Sequence, residues 1–68
     1  MDVRRIMAKN VRKFRTAAQL SQEEVATRMG VEQTYVSGLE RGVRNPTITT
    51  LDRAAKALNV DIVELLKE

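Results

Sequence analysis

The hydrophobic and polar positions of this chain repeat with the period of an α-helix, and no strand-like alternation interrupts them. The first such pattern predicts a helix from Val3 to Ala18, with basic residues on its outer face. Its apolar face contains Val3, Ile6, Met7, Val11, Phe14, Ala17 and Ala18. An uninterrupted helical period of this kind indicates an all-α fold.

Two further helices are predicted between residues 21 and 42 from their start and stop signals. Ser21 and Glu24 have the spacing of a capping box, which opens the second helix. Gly30 and Gly42 follow the second and third helices, where glycine readily adopts the left-handed conformation that ends a helix. Two helices joined by such a tight turn have the outline of a helix-turn-helix.

The last third of the chain predicts a fourth and a fifth helix. Thr47 is the expected N-cap of the fourth, and Asn59 is expected to end it. The predicted buried stripe of that helix is Ile48, Leu51, Ala54, Ala55 and Leu58. Asp61 and Glu64 repeat the capping-box spacing and open a short fifth helix. We therefore expect a compact five-helix fold, with residues 1–68 forming one domain and its helix-turn-helix at about 21–42.

The formal net charge of +3 is unevenly distributed. Residues 1–44 contain nine basic and five acidic side chains, whereas residues 45–68 contain three and four. A basic first part favours a polyanionic partner, and a nearly neutral second part favours a protein partner. Ordinary surface charge on a small domain is the alternative interpretation.

Composition excludes several classes of function. The chain has no cysteine and no histidine, which removes disulfides, the usual zinc sites and the commonest general base. We expect no enzymatic activity, no metal, no cofactor and no small-molecule ligand. Neither a membrane-spanning run nor a signal peptide is apparent, so the expected location is the cytoplasm.

Four small or apolar residues are spaced as a helix-turn-helix requires. Counting Gln22 as the first position, Ala26 is fifth, Gly30 ninth, Val36 fifteenth and Leu39 eighteenth. With Val36 and Leu39 facing inward, a polar face of the third helix turns outward. That face contains Gln33, Thr34, Ser37, Gly38 and Arg41.

The segments LSQEEVATRMGVEQTYVSGLERG and NPTITTLDRAAKALNVDIVELL resemble the lambda-repressor and Cro-type (Xre-like) helix-turn-helix family. The resemblance extends from about Val3 to Leu66. It implies a transcriptional regulator that binds double-stranded DNA as a homodimer, with a recognition helix at 32–41 in the major groove of a pseudo-palindromic operator. The chain is closest in kind to stand-alone controller proteins of restriction–modification systems or to small repressors. Whether it activates or represses stays open.

The resemblance and the side-chain chemistry together give a set of candidate DNA-binding residues. Gln33 suits an adenine edge, Thr34 a base edge or thymine methyl, and Arg41 a guanine or the backbone. Gln22, at the start of the second helix, matches a phosphate-contacting glutamine of the family. Tyr35 either packs against the second helix or meets a phosphate. The full set is Gln22, Gln33, Thr34, Tyr35, Ser37, Arg41, Arg44 and Asn45.

The resemblance also implies a partly buried structural ion pair between Arg15 and Glu40. Three positions depart from the family pattern, of which Asn59, in place of a common glycine, is harmless. Glu32 is a poor N-cap, and Gly38 stands where relatives place a longer polar side chain. Either a close approach of the Gly38 backbone to DNA compensates for the lost side chain, or this position reads no base.

An excess of apolar residues near the end of the chain predicts a dimer interface. The last helix is too short to bury Ile62, Val63, Leu65 and Leu66 against one small core. Val63 and part of Leu66 are therefore expected to meet a second copy, within a dimerisation region at about 47–68. The alternative is an antitoxin or protein-interaction module that binds its partner through this region and binds DNA secondarily.

Overall fold

The structure is a computed structural model that describes residues 2–68, and it contains four α-helices followed by one 3-10 helix. The α-helices are α1 (Val3–Ala17), α2 (Gln22–Met29), α3 (Gln33–Arg41) and α4 (Ile48–Ala57), and the 3-10 helix is Ile62–Leu66. The described residues contain no strand, so the all-α fold class is confirmed. The expectation of five α-helices is wrong at its last element.

Local capping interactions determine where α2 and α3 begin and end. Ser21 and Glu24 form the predicted capping box, with the Glu24 N–H donating to Ser21 Oγ at 3.0 Å and the Ser21 N–H donating to Glu24 Oε1 at 2.8 Å. Gly30 and Gly42 have φ angles of 73° and 76°, which lie in the left-handed region. Glu32 precedes α3 without any side-chain capping bond. The helix-turn-helix therefore begins with a strong cap and turns at a glycine.

The core lies where all five elements converge. Its four largest side chains with essentially no exposure come from different elements: Leu65, Val11, Val25 and Val36. The predicted stripe of α4 is buried except at Ile48, which is 72% exposed. That prediction is wrong because Ile48 is the first residue of α4 and lies beyond the edge of the core. The result is a small core that supports α3 from behind.

Side chains bind the backbone at both ends of the 3-10 helix. Asp61 caps it through the Val63 N–H at 3.0 Å, but Glu64 binds Lys67 Nζ and does not complete the predicted capping box. Asn10, buried on α1, donates through Nδ2 to the backbone oxygens of Leu65 at 3.0 Å and Lys67 at 2.7 Å. A segment this short is typical of 3-10 helices, and the bonds from Asn10 hold its end against α1.

Candidate nucleic-acid interface

The helix α3 is packed on one side and open on the other. Val36 and Leu39 are 0% and 3% exposed, whereas Gln33, Thr34 and Arg41 are exposed. This division follows from the helical period, because residues three apart lie on the same face. The outcome is a polar helix surface that faces solvent and is supported by the core.

The structure brings Arg15 and Glu40 together beneath α3. Arg15 donates to the Glu40 carboxylate through both Nε and Nη2, the latter at 2.9 Å. Its Nη1 also donates to the Leu20 backbone oxygen at 2.9 Å, so one guanidinium joins α1, the α1–α2 connection and α3. The side chains of Arg15 and Glu40 are only 15% and 5% exposed. Little water competes for this pair, which favours one position of α3 relative to α1.

The ionisation of the pair is shifted in the direction that this geometry requires. Burial raises the pKa of Glu40, but the hydrogen bonds from Arg15 and Gln22 outweigh it, and the net pKa lies below its ordinary value. The hydrogen bonds to Glu40 raise the pKa of Arg15. Both groups are therefore charged at neutral pH, and the pair persists over the physiological range.

A chain of hydrogen bonds connects this ion pair to the outer face of α3. Gln22 Nε2 donates to Glu40 Oε1 at 3.1 Å, and Gln33 Nε2 donates to Gln22 Oε1 at 2.6 Å. The amide of Gln33 is thus held in one orientation by a residue that is itself held by a buried carboxylate. After these bonds, each amide nitrogen retains a second hydrogen. Gln33 can therefore contact another molecule without breaking the chain.

The loop after α3 folds back onto the helix through Arg44. The Arg44 guanidinium carbon lies 5.1 Å from the centre of the Tyr35 ring, a cation–π distance. Tyr35 is half-buried and packs against the core. Gly38 is buried, unlike the other residues predicted on this face, because the Arg44 side chain covers it. A bare glycine surface open for close approach is therefore not present in this structure.

The remaining candidates lie around the same face without forming a second cluster. Ser37 is half-buried, Arg41 is the last residue of α3, and Asn45 is exposed in the following loop. The sequence pattern missed the contact between Gly38 and Arg44. A glycine in the middle of a strongly patterned helix was the only available signal, since such a residue needs a packing reason.

Other kinds of site find no support in the part of the chain that the structure describes. Within residues 2–68, no three acidic side chains gather where they could hold a metal ion. No helix in the same range has the length and apolar character needed to cross a membrane.

Comparison with known families places this geometry in a class of protein. The helix-turn-helix family matches residues 11–65, which include α2, α3, α4 and the second half of α1. The chain belongs to this helix-turn-helix family of DNA-binding transcriptional regulators. The resemblance inferred from the sequence is thereby confirmed.

Individual relatives align with almost the whole chain. It is 48% identical over 66 residues to the uncharacterized HTH-type transcriptional regulator y4dJ of Sinorhizobium fredii, covering 97% of this chain and 86% of that protein. Its identity to control protein C.SmaI of Serratia marcescens is 46% over 66 residues, covering 97% and 79%.

A solved structure shares the fold. The restriction–modification controller protein C.AhdI from Aeromonas hydrophila superposes with a TM-score of 0.87 and 37% identity, covering 91% of this chain and 90% of that one. These relatives are regulators and controllers rather than enzymes. The prediction that the chain is not an enzyme is thereby confirmed.

Proposed function

We propose that this protein is a homodimeric transcriptional regulator that places residues 32–41 in the major groove of a pseudo-palindromic operator. The observation that carries the proposal is the outer face of α3. There Gln33 is exposed, yet it is held in place by a hydrogen bond to Gln22, which is itself hydrogen-bonded to Glu40. A side chain fixed before binding loses little conformational entropy when it meets a base. A regulator of this kind acts in the cytoplasm, beside the DNA it controls.

Base recognition is assigned to the exposed end of α3. Gln33 has a second amide hydrogen and a carbonyl oxygen, which together match the N7 and N6 groups of adenine. Thr34 offers a hydroxyl and a methyl group to a neighbouring base. Ser37 and Arg41 lie further along the helix, where Arg41 reaches a guanine or a phosphate.

Phosphate contacts are assigned to the rim of this face. Gln22 stands at the first residue of α2, where unbonded N–H groups and the helix dipole favour an anion. Arg44 and Asn45 follow α3 in an exposed loop. The cation–π contact with Arg44 supports a packing role for Tyr35 over direct contact of its hydroxyl with DNA. Such contacts fix the register of the protein on the duplex.

Dimerisation is assigned to the 3-10 helix and α4, at about 47–68. Val63 and Leu66 are 54% and 41% exposed, while Leu65 between them is fully buried. Two-fold pairing through this patch buries apolar surface that one chain leaves in water. A symmetric dimer presents two α3 helices about 34 Å apart, one turn of DNA, and so matches a pseudo-palindrome.

The antitoxin or protein-interaction module is the weaker alternative. Relatives that align with nearly the whole chain are regulators and controller proteins, which favours DNA as the main partner. The alternatives differ in one measurable property. Binding that depends on phosphate contacts weakens steeply with salt because counterions are released, whereas pairing with a toxin does not depend on DNA.

Selection of binding sites from a random DNA pool tests the proposal. The wild-type protein should enrich a pseudo-palindrome. Gln33→Ala should weaken binding to it by about 1–3 kcal/mol and relax the preference at one base pair per half-site. Thr27→Ala, an exposed change on α2, serves as the control and should leave the selected sequence unchanged. An unchanged preference in Gln33→Ala refutes the assignment of the reading face.

A further inference from the structure

Gly38 occupies a position on α3 where the backbone does not require glycine. Gly30 and Gly42 have positive φ angles, but Gly38 has the ordinary helical conformation that alanine also adopts. A glycine in the middle of a helix destabilises it relative to alanine. The reason for glycine at this position must therefore lie in the side chains that pack against it.

The side chain of Arg44 fills the space that a methyl group would need. A Cβ atom built on Gly38 lies 2.8 Å from Arg44 Cγ, 3.0 Å from Nε and 3.4 Å from Cδ. The first of these distances is shorter than a carbon–carbon contact permits, so alanine at this position displaces the arginine. The stem of Arg44 crosses α3 at the single point where the helix has no side chain.

Tyr35 contacts the same Arg44 side chain. It lies one helical turn before Gly38, on the same side of α3. Its ring packs against the core, and the Arg44 guanidinium lies 5.1 Å above the ring centre. An anchored aromatic ring beside a bare backbone holds a long and otherwise flexible side chain along the helix.

We propose that Gly38 is a positioning residue whose missing side chain seats Arg44 on the DNA-facing side of α3. The inference rests on the proposed function and deepens it. Arg44, which belongs to the loop after α3, is held next to the reading face before DNA arrives. A phosphate that flanks the groove then meets a cation already in place, and the entropy lost on binding is reduced. The missing side chain at position 38 is replaced in space by that of Arg44.

Affinity for the selected operator, measured against salt concentration, tests this role in four proteins. Arg44→Ala should bind roughly tenfold more weakly and flatten the slope of log K against log salt by about one unit. Gly38→Ala should bind several-fold more weakly with a similar loss of slope. The double variant should match Arg44→Ala within about twofold, since the glycine acts only through the arginine.

Thermal unfolding separates this role from a structural one. Gly38→Ala should melt no lower than the wild type, because alanine favours the helix and an exposed arginine can swing into solvent. Tyr35→Leu, which removes the ring but keeps an apolar side chain, should also lose salt slope. Thr27→Ala provides a control helix substitution on α2 and should retain operator affinity.

Three results overturn the inference. The first is wild-type affinity and slope in Gly38→Ala, and the second is wild-type binding in Arg44→Ala. The third is that Gly38→Ala weakens binding equally in the Arg44→Ala background. The last result means that the added methyl group meets DNA directly. A wild-type protein that selects no operator refutes the proposed function itself. A wild type that binds, together with a Gly38→Ala variant that binds equally well, refutes only the role of Gly38 in positioning Arg44.

Discussion

Removal of the Glu40 carboxylate strands the Arg15 guanidinium beneath α3. Glu40→Ala deletes three accepted hydrogen bonds, two from Arg15 and one from Gln22. Breaking a buried ion pair costs about 3–5 kcal/mol. Arg15 keeps its bond to the Leu20 oxygen and is 15% exposed, so some hydration remains and the lower end of that range applies.

A loss of about 3 kcal/mol is large for a domain of this size. Total stability at about 0.05–0.15 kcal/mol per residue amounts to roughly 3–10 kcal/mol for such a chain. The expected fall in Tm is roughly 12–24 °C. Circular dichroism melts at matched concentration measure it, and DNA binding measured well below the new Tm should be lost only in proportion to the unfolded fraction.

Two companion variants identify the stranded charge as the cause. Replacing both partners, as Arg15→Met with Glu40→Leu, should recover most of the stability because no charge is left unpaired. Asp52→Ala breaks the exposed pair with Lys56 on α4, and its expected effect is about 0.5 kcal/mol or less. If Glu40→Ala melts within a few degrees of Asp52→Ala, the pair beneath α3 contributes little and the reasoning is refuted.

Three further predictions concern the core, the dimer and pH. Asn10→Ala leaves the backbone oxygens of Leu65 and Lys67 without their donor and should lower the free energy of unfolding by about 2 kcal/mol. An unchanged urea midpoint contradicts this. Val63→Glu should yield a helical monomer in sedimentation at micromolar concentration, with weak operator binding; a wild type that is already monomeric and binds a half-site as tightly as a full site refutes the dimer. Because the pKa of Glu40 is lowered by folding from its ordinary 4.5, its contribution is complete above pH 4.5 and lost as pH falls through the lower folded value. Unfolding titrations of Glu40→Gln should therefore show a flatter loss of stability below pH 4.5 than the wild type, and equal slopes contradict the assignment.

Helix ends were predictable from the sequence because capping is a local interaction. The Ser21 box and the left-handed conformations of Gly30, Gly42 and Asn59 involve residues within one or two turns of each other. The spacing of apolar residues likewise predicts which side of α3 is packed. These features depend on neighbours whose identity can be seen in the sequence.

Contacts between distant residues were harder to predict. Nothing near Gly38 in the sequence shows that Arg44 folds back over it. Asn10 lies on the apolar face of α1, three residues after Met7, yet its two carbonyl partners follow it in the sequence by 55 and 57 positions. Gln22 was expected at a phosphate, but its hydrogen bonds to Gln33 and Glu40 follow only from the crossing of α2 and α3.

The hydrogen bonds from Asn10 join residues 55 and 57 positions apart, and the side chain of Leu65, whose backbone oxygen accepts one of these bonds, is fully buried. During synthesis, α2 and α3 leave the ribosome well before Leu65 does. Their apolar sides therefore lack part of their packing until the chain has been made through Lys67. Contacts of such long range also slow folding, because the chain between the two residues must close into a loop before the contact forms. The packing that supports α3 is therefore complete only after residues 62–67 have been made, and DNA binding by each new molecule must wait for that stretch.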